Sequence, residues 1–84
     1  MNQAIQFIDR FEFNVQSQLL TFFAQVSGLM VECVIDTHTL ALADQQAAKL
    51  YFEQARFDYE DIAEQLIENE EYNSAGQIIV SVLS

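Results

Sequence analysis

The 84-residue sequence contains no proline, no tryptophan, two glycines and one cysteine. Because no proline-rich or glycine-rich linker interrupts the chain, we expect a single domain over residues 1–84. The lone thiol, Cys33, cannot form an intramolecular disulfide, and one cysteine cannot supply the ligand spacing of a zinc or haem site. The composition therefore predicts no disulfide framework, no bound metal and no cofactor.

Basic residues are also scarce. Arg10, Lys49 and Arg56 stand against 13 Asp and Glu residues, which gives a formal charge of -10. Affinity for nucleic acid depends largely on Lys and Arg side chains that neutralise phosphates. Direct nucleic-acid binding is therefore not expected, whereas a protein of this charge is suited to stay soluble or to meet a basic protein partner.

Long apolar runs are absent as well, although 51% of the residues are hydrophobic. No stretch approaches the roughly 20 apolar residues that a membrane helix needs. Asp9, Arg10 and Glu12 lie within the first twenty residues, where a signal peptide would be apolar. We expect a folded, soluble, cytoplasmic protein that does not enter the membrane.

Alternating polar and apolar residues predict strands in two parts of the chain. In the first part, the alternation covers residues 3–8, a short extended piece over 11–15, and the segments 19–26 and 29–36. Ser27-Gly28 lies between the last two segments and suits the two-residue turn of a hairpin. The alternation returns over residues 77–83, which predicts a closing strand.

Helical spacing occupies the part between these strands. Thr37 or Thr39 can cap a short helix through Leu40 and Leu42, and Asp44 can then cap a longer helix over residues 45–56. Asp58 can cap a second helix, with Phe57 and Ile62 in the positions of a hydrophobic staple. The predicted fold is α+β: a small antiparallel sheet of about four strands, in the order β-β-β-α-α-β, with two main helices packed on one face.

The negative charge is concentrated between Asp58 and Glu71, where seven acids occur without a basic residue. At about 100° per residue, five of them share one helix face opposite the apolar stripe. These candidate partner-binding residues are Glu60, Asp61, Glu64, Glu68 and Glu71. Such a face can simply be solvated, or it can bind a basic protein partner, with mimicry of DNA phosphates as a special case.

The sequence also contains residues that could form a catalytic site, a calcium site or a dimer surface. Cys33 and His38 would serve a small thiol or hydrolytic enzyme, but a free Cys on an inward strand face usually packs as a small hydrophobe, so we expect no enzyme. Asp58, Asp61 and Glu64 lack the ligand spacing of a calcium loop. A second apolar sheet face predicts a possible homodimer; its residues are Leu19, Phe23, Ile79 and Leu83.

Several segments resemble a known family. They are Arg56-Phe57-Asp58-Tyr59-Glu60-Asp61 with Ala63-Glu64 and Leu66-Ile67, the opening Met1-Asn2-Gln3-Ala4-Ile5-Gln6-Phe7, and the hairpin residues Phe22, Ala24, Gly28, Cys33 and Ile35. The chain resembles the small proteobacterial proteins of domain-of-unknown-function family 1488, in which Trp often replaces Phe57. The resemblance implies strands, two main helices and a last strand. It implies no established activity, cofactor or ligand, although such proteins are sometimes labelled as regulators.

Overall fold

The computed structural model describes residues 4–83, which form a four-stranded sheet and one helix. The elements are β1 (Ile5–Asn14), β2 (Leu19–Val26), β3 (Leu29–Asp36), α1 (Gln45–Glu68) and β4 (Ile78–Val80). The strand order in the sheet is β1-β2-β3-β4, so β1 and β4 are the two edges. Side chains of α1 and of one sheet face share the hydrophobic core.

The predicted hairpin is confirmed. β2 and β3 pair antiparallel from Val26↔Leu29 to Leu19↔Asp36. Ser27 and Gly28 connect them with φ angles of 50° and 86°. Two consecutive positive φ values are the mark of a tight turn whose twist matches the flanking strands, and glycine adopts such a conformation at little cost.

The prediction of two main helices is wrong, because α1 runs without a break for 24 residues. Asp44 is its N-cap and accepts a hydrogen bond from the Ala47 amide at 2.8 Å. Asp58 lies inside the helix, and Phe57 is 78% exposed rather than packed in a staple. One Asp costs a helix interior less than 1 kcal/mol, so a capping residue without a neighbouring Gly or Pro does not end it.

The sheet is mixed rather than antiparallel, since β3 and β4 pair parallel through Cys33↔Ile78 and Ile35↔Val80. The number of helices explains this error. Each helix laid along a sheet reverses the chain direction, so two helices would return the chain for an antiparallel strand. A single crossover helix returns it for a parallel one.

Ten residues of β1 form a long edge strand whose pairing is irregular. Phe7 pairs with Ala24 and Phe11 with Phe22, so the register shifts between them and three β1 residues lie opposite Phe23. Phe7 and Phe11 both pack against the core. This irregularity brings Arg10 over the ring of Phe23, 4.4 Å from its centroid.

Arg10 changes the interpretation of the second sheet face. Phe23 is only 3% exposed, and Leu83 packs against the core rather than on this face. Leu19 and Ile79 are exposed as predicted. The apolar face is therefore smaller than the sequence suggests, and homodimerisation through it stays a prediction.

Candidate functional site

The solvent-facing side of α1 is divided into an apolar and an acidic half. We call it the outer stripe and define it by Leu50, Phe57, Asp61, Glu64 and Glu68. Leu50 is 57% and Phe57 78% exposed. None of the three acids has an ion-pair partner within 4 Å in the part of the chain that the structure describes.

Glu60, the first of the predicted acidic residues, lies outside this stripe. Its side chain is half-buried on the flank of α1, and its Oε2 is 3.4 Å from Nε of Arg56. Burial raises the pKa of Glu60, while Arg56 lowers it and the nearby charge of Asp61 raises it again. Glu60 therefore belongs to a local ion pair and is not a free acidic residue.

Glu71, the last of them, lies beyond the helix. The Glu70 amide donates to the Ile67 carbonyl at 2.9 Å, and the Glu71 amide to the Leu66 carbonyl at 3.0 Å. This pair of bonds, with Glu70 at a φ of 57°, is the Schellman motif that closes many helices. Three of the five predicted residues, Asp61, Glu64 and Glu68, thus share one helix face. Asp61 and Glu68 are exposed, Glu64 is partly buried, and Glu71 is exposed next to this face.

A groove missed by the sequence analysis separates α1 from the edge strand β1. This β1–α1 groove has a volume of about 230 Å³ and is lined by Asp9, Arg10, Phe11, Lys49, Phe52, Glu53 and Arg56. It contains every basic residue of the chain. Nη2 of Arg56 is 3.1 Å from Oδ1 of Asp9, which joins the helix to the strand. Sequence spacing could not reveal the groove, because it depends on how the irregular part of β1 lies beside α1.

The two residues of the predicted enzyme are not brought together. Cys33 is fully buried in the core, where burial raises the pKa of its thiol to about 12. His38 is exposed in the turn after β3, and its Nδ1 lies 3.0 Å from Oδ1 of Asp36. A hydrogen bond from the His38 amide and the His38 ring hold the pKa of Asp36 below its usual value. This geometry offers neither a thiolate nor a base beside the thiol.

The buried tyrosine pair is structural. The hydroxyls of Tyr51 and Tyr59 are hydrogen-bonded, and the Leu83 amide donates to the Tyr59 hydroxyl at 3.2 Å. Burial, and then the bond to Tyr59, raise the pKa of Tyr51. The pair anchors the segment after β4 to the core.

Over residues 4–83, no three His, Cys, Asp or Glu side chains converge to hold a metal ion. The helix of the described region lacks an apolar stretch long enough to cross a bilayer.

Comparison with known proteins gives the family. A family model described as "Protein of unknown function (DUF1488)" matches residues 5–80. The chain belongs to this family. It is 36% identical to the uncharacterized protein YrdB of Escherichia coli K12 and 34% identical to YrdB of Shigella flexneri, each time over 93% of this chain and 96% of the relative.

A solved structure of the same family supports the architecture. It is the crystal structure of a DUF1488 protein of unknown function from Shewanella loihica PV-4. The two chains are 37% identical and superimpose with a TM-score of 0.83 over 95% of this chain and 94% of the other. The resemblance predicted from the sequence is confirmed, and the family brings no established function.

Proposed function

We propose that this protein is a non-enzymatic interaction module that binds a basic segment of a partner protein through the outer stripe of α1. The observation that carries the proposal is that exposed Phe57 and Leu50 share a helix face with acids that have no ion-pair partner among residues 4–83. An exposed apolar pair marks a surface that gains from being covered. A cytoplasmic location belongs to the same proposal, since Cys33 is a free thiol.

The spacing along the stripe defines the shape of the partner. Leu50, Phe57 and Glu64 follow one another at seven-residue intervals, the spacing at which one helix packs along another. Asp61 lies between Phe57 and Glu64, and Glu68 lies one turn beyond Glu64. A fitting partner is an amphipathic helix with apolar side chains opposite Leu50 and Phe57 and Lys or Arg side chains opposite the acids.

Electrostatics supports the same partner. Like charges at i,i+3 and i,i+4, as in Asp61 with Glu64 and Glu64 with Glu68, each destabilise a helix by about 0.2–0.5 kcal/mol. A basic partner would relieve this repulsion and be steered by the field of the whole protein. The alternative of a thiol enzyme is less well supported, because its nucleophile Cys33 is fully buried.

The proposal is tested by placing a photo-crosslinking amino acid at position 57 in cells that express the chain. We expect a crosslink to a partner peptide rich in Lys or Arg. The variant Asp61→Asn, Glu64→Gln, Glu68→Gln should lose it. A matched variant, Glu12→Gln, Glu32→Gln, Asp36→Asn, removes equal charge from strands β1 and β3 and should keep it.

Two outcomes contradict the proposal. Equal loss in the matched variant would show that net charge alone attracts the partner. A crosslinked peptide without basic residues, or no crosslink at all, would exclude a basic segment as the ligand of this face.

A further inference from the structure

Two of the three cations in the β1–α1 groove have ion-pair partners within residues 4–83. Arg10 pairs with Glu12 at 2.8 Å, and Arg56 pairs with Asp9 at 3.1 Å. Lys49 has no ion pair within residues 4–83. Nε of Arg56 is shielded from solvent and makes no directed hydrogen bond, although Glu60 lies 3.4 Å away. An ion pair that holds β1 to α1 accounts for the position of Arg56, but not for the position of Lys49 in the groove.

The lining is positive in an otherwise negative molecule. Three cationic and two anionic side chains line the groove, a formal charge of +1, whereas the whole chain carries -10. All the Lys and Arg residues of the chain lie along this groove, so positive charge is concentrated there, although Glu12 and Glu60 pair with Arg10 and Arg56 from outside the lining. Lys49 and Arg56 are seven residues apart, about 10 Å along one flank of α1, so their long side chains can approach a single anion between them.

Asp9 shows what such an anion would contact. Its side chain is 97% exposed, yet one carboxylate oxygen lies at the Arg56 guanidinium. Arg56 also lies over the ring of Phe52, 5.6 Å from its centroid, and that ring stacks on Phe11 at 6.0 Å. A guanidinium placed over an aromatic ring can still direct its N–H groups to a carboxylate or phosphate, as Nη2 of Arg56 does to Asp9.

We propose that the β1–α1 groove binds a small ligand through one oxyanion group, a carboxylate or a phosphate, held between Lys49 and Arg56. Asp9 is the internal competitor for this position. Half-buried Phe11 offers an apolar surface beside it for the body of the ligand. This site is independent of the outer stripe, so it stands whether or not the proposed partner exists.

The test is a titration of the ¹⁵N-labelled protein, followed by amide chemical shifts at constant ionic strength, with inorganic phosphate in one arm and benzoate in the other. We expect saturable shifts at Phe11, Lys49 and Arg56 with at least one probe, and the better probe identifies the group. Lys49→Gln should weaken binding roughly threefold, the size expected for one partly exposed charge pair. This exposed side chain has no ion pair to lose within the described part of the chain, so the variant should fold normally.

Asp9→Asn provides the sharper comparison. Removing the competitor should tighten binding roughly threefold, as for the loss of one exposed ion pair. Glu71→Gln makes the same change in net charge away from the groove and should leave the affinity unchanged. Equal tightening in both variants would overturn the proposal. Shifts that rise linearly without saturation, as a simple salt such as chloride would cause, would also overturn it. Either result would mean an adventitious ion only.

Discussion

Glu70 adopts a backbone conformation that favours glycine. Its φ of 57° closes α1 through the Schellman motif, and a side chain costs about 1–2 kcal/mol in this region. Glu70→Gly should therefore raise the free energy of unfolding by about 1 kcal/mol. Urea denaturation measures this change. Glu70→Ala removes the charge but keeps the strain, so a gain of equal size in that variant would attribute the effect to charge instead.

Cys33 gives a residue-scale test of the enzyme hypothesis. Because the thiol is fully buried and its pKa is raised to about 12, almost none is thiolate at neutral pH. Iodoacetamide should not label the folded protein on the timescale on which it labels a free thiol, whose pKa is about 8.5. Labelling should become rapid in denaturing urea. Rapid labelling of the folded protein would restore Cys33 as a candidate nucleophile.

At the scale of elements, the continuity of α1 separates two aspartates that look alike in the sequence. Asp44 caps the helix, so Asp44→Ala should cost about 1 kcal/mol of stability. Asp58 is an interior residue, and Ala is a better helix former by up to about 0.7 kcal/mol, so Asp58→Ala should stabilise the protein. Both variants remove one negative charge and therefore control for each other. Destabilisation by Asp58→Ala in urea unfolding would favour two helices.

The same two residues show how far the sequence could predict the fold. Alternation and Ser27-Gly28 predicted the hairpin because both signals are local. The spacing of apolar residues along the helix places Ala48, Phe52 and Tyr59 on one face, and all three are buried. The prediction of a helix break before Asp58 was wrong because a capping residue is also tolerated inside a helix. The wrong direction predicted for β4 followed from that error.

The candidate surfaces differ in the same way. Asp61, Glu64 and Glu68 could be placed on one exposed face from helical spacing alone. The groove could not, since it joins Lys49 and Arg56 to a strand about forty residues away through a register shift that no local pattern encodes. The family match covers both regions and explains neither.

At the scale of the whole molecule, a charge of -10 on 84 residues makes the folded state repel itself. Compactness brings the acids closer than they are in the unfolded chain, which disfavours their charged forms. At Glu60, burial disfavours the charged form further, and the pKa of Glu60 is raised. A raised folded pKa means that the native state binds protons more tightly than the unfolded one. Its stabilising contribution is present at low pH and is lost as the pH rises through the folded pKa.

The pKa shift of Asp36 has the opposite sign, because its folded pKa is lowered. The stability that Asp36 contributes is lost only as the pH falls through that lowered pKa, which lies below the usual 3.8. As the pH falls from 7 towards the usual Glu value of 4.5, therefore, Glu60 and the general repulsion both predict higher stability at the lower pH. At low ionic strength the Tm should be higher at pH 4.5 than at about pH 7. Added salt should raise the Tm at pH 7 and narrow the difference, because it screens exposed charges. Glu60→Gln should reduce the pH dependence, and a Tm that falls on acidification over this range would contradict the argument.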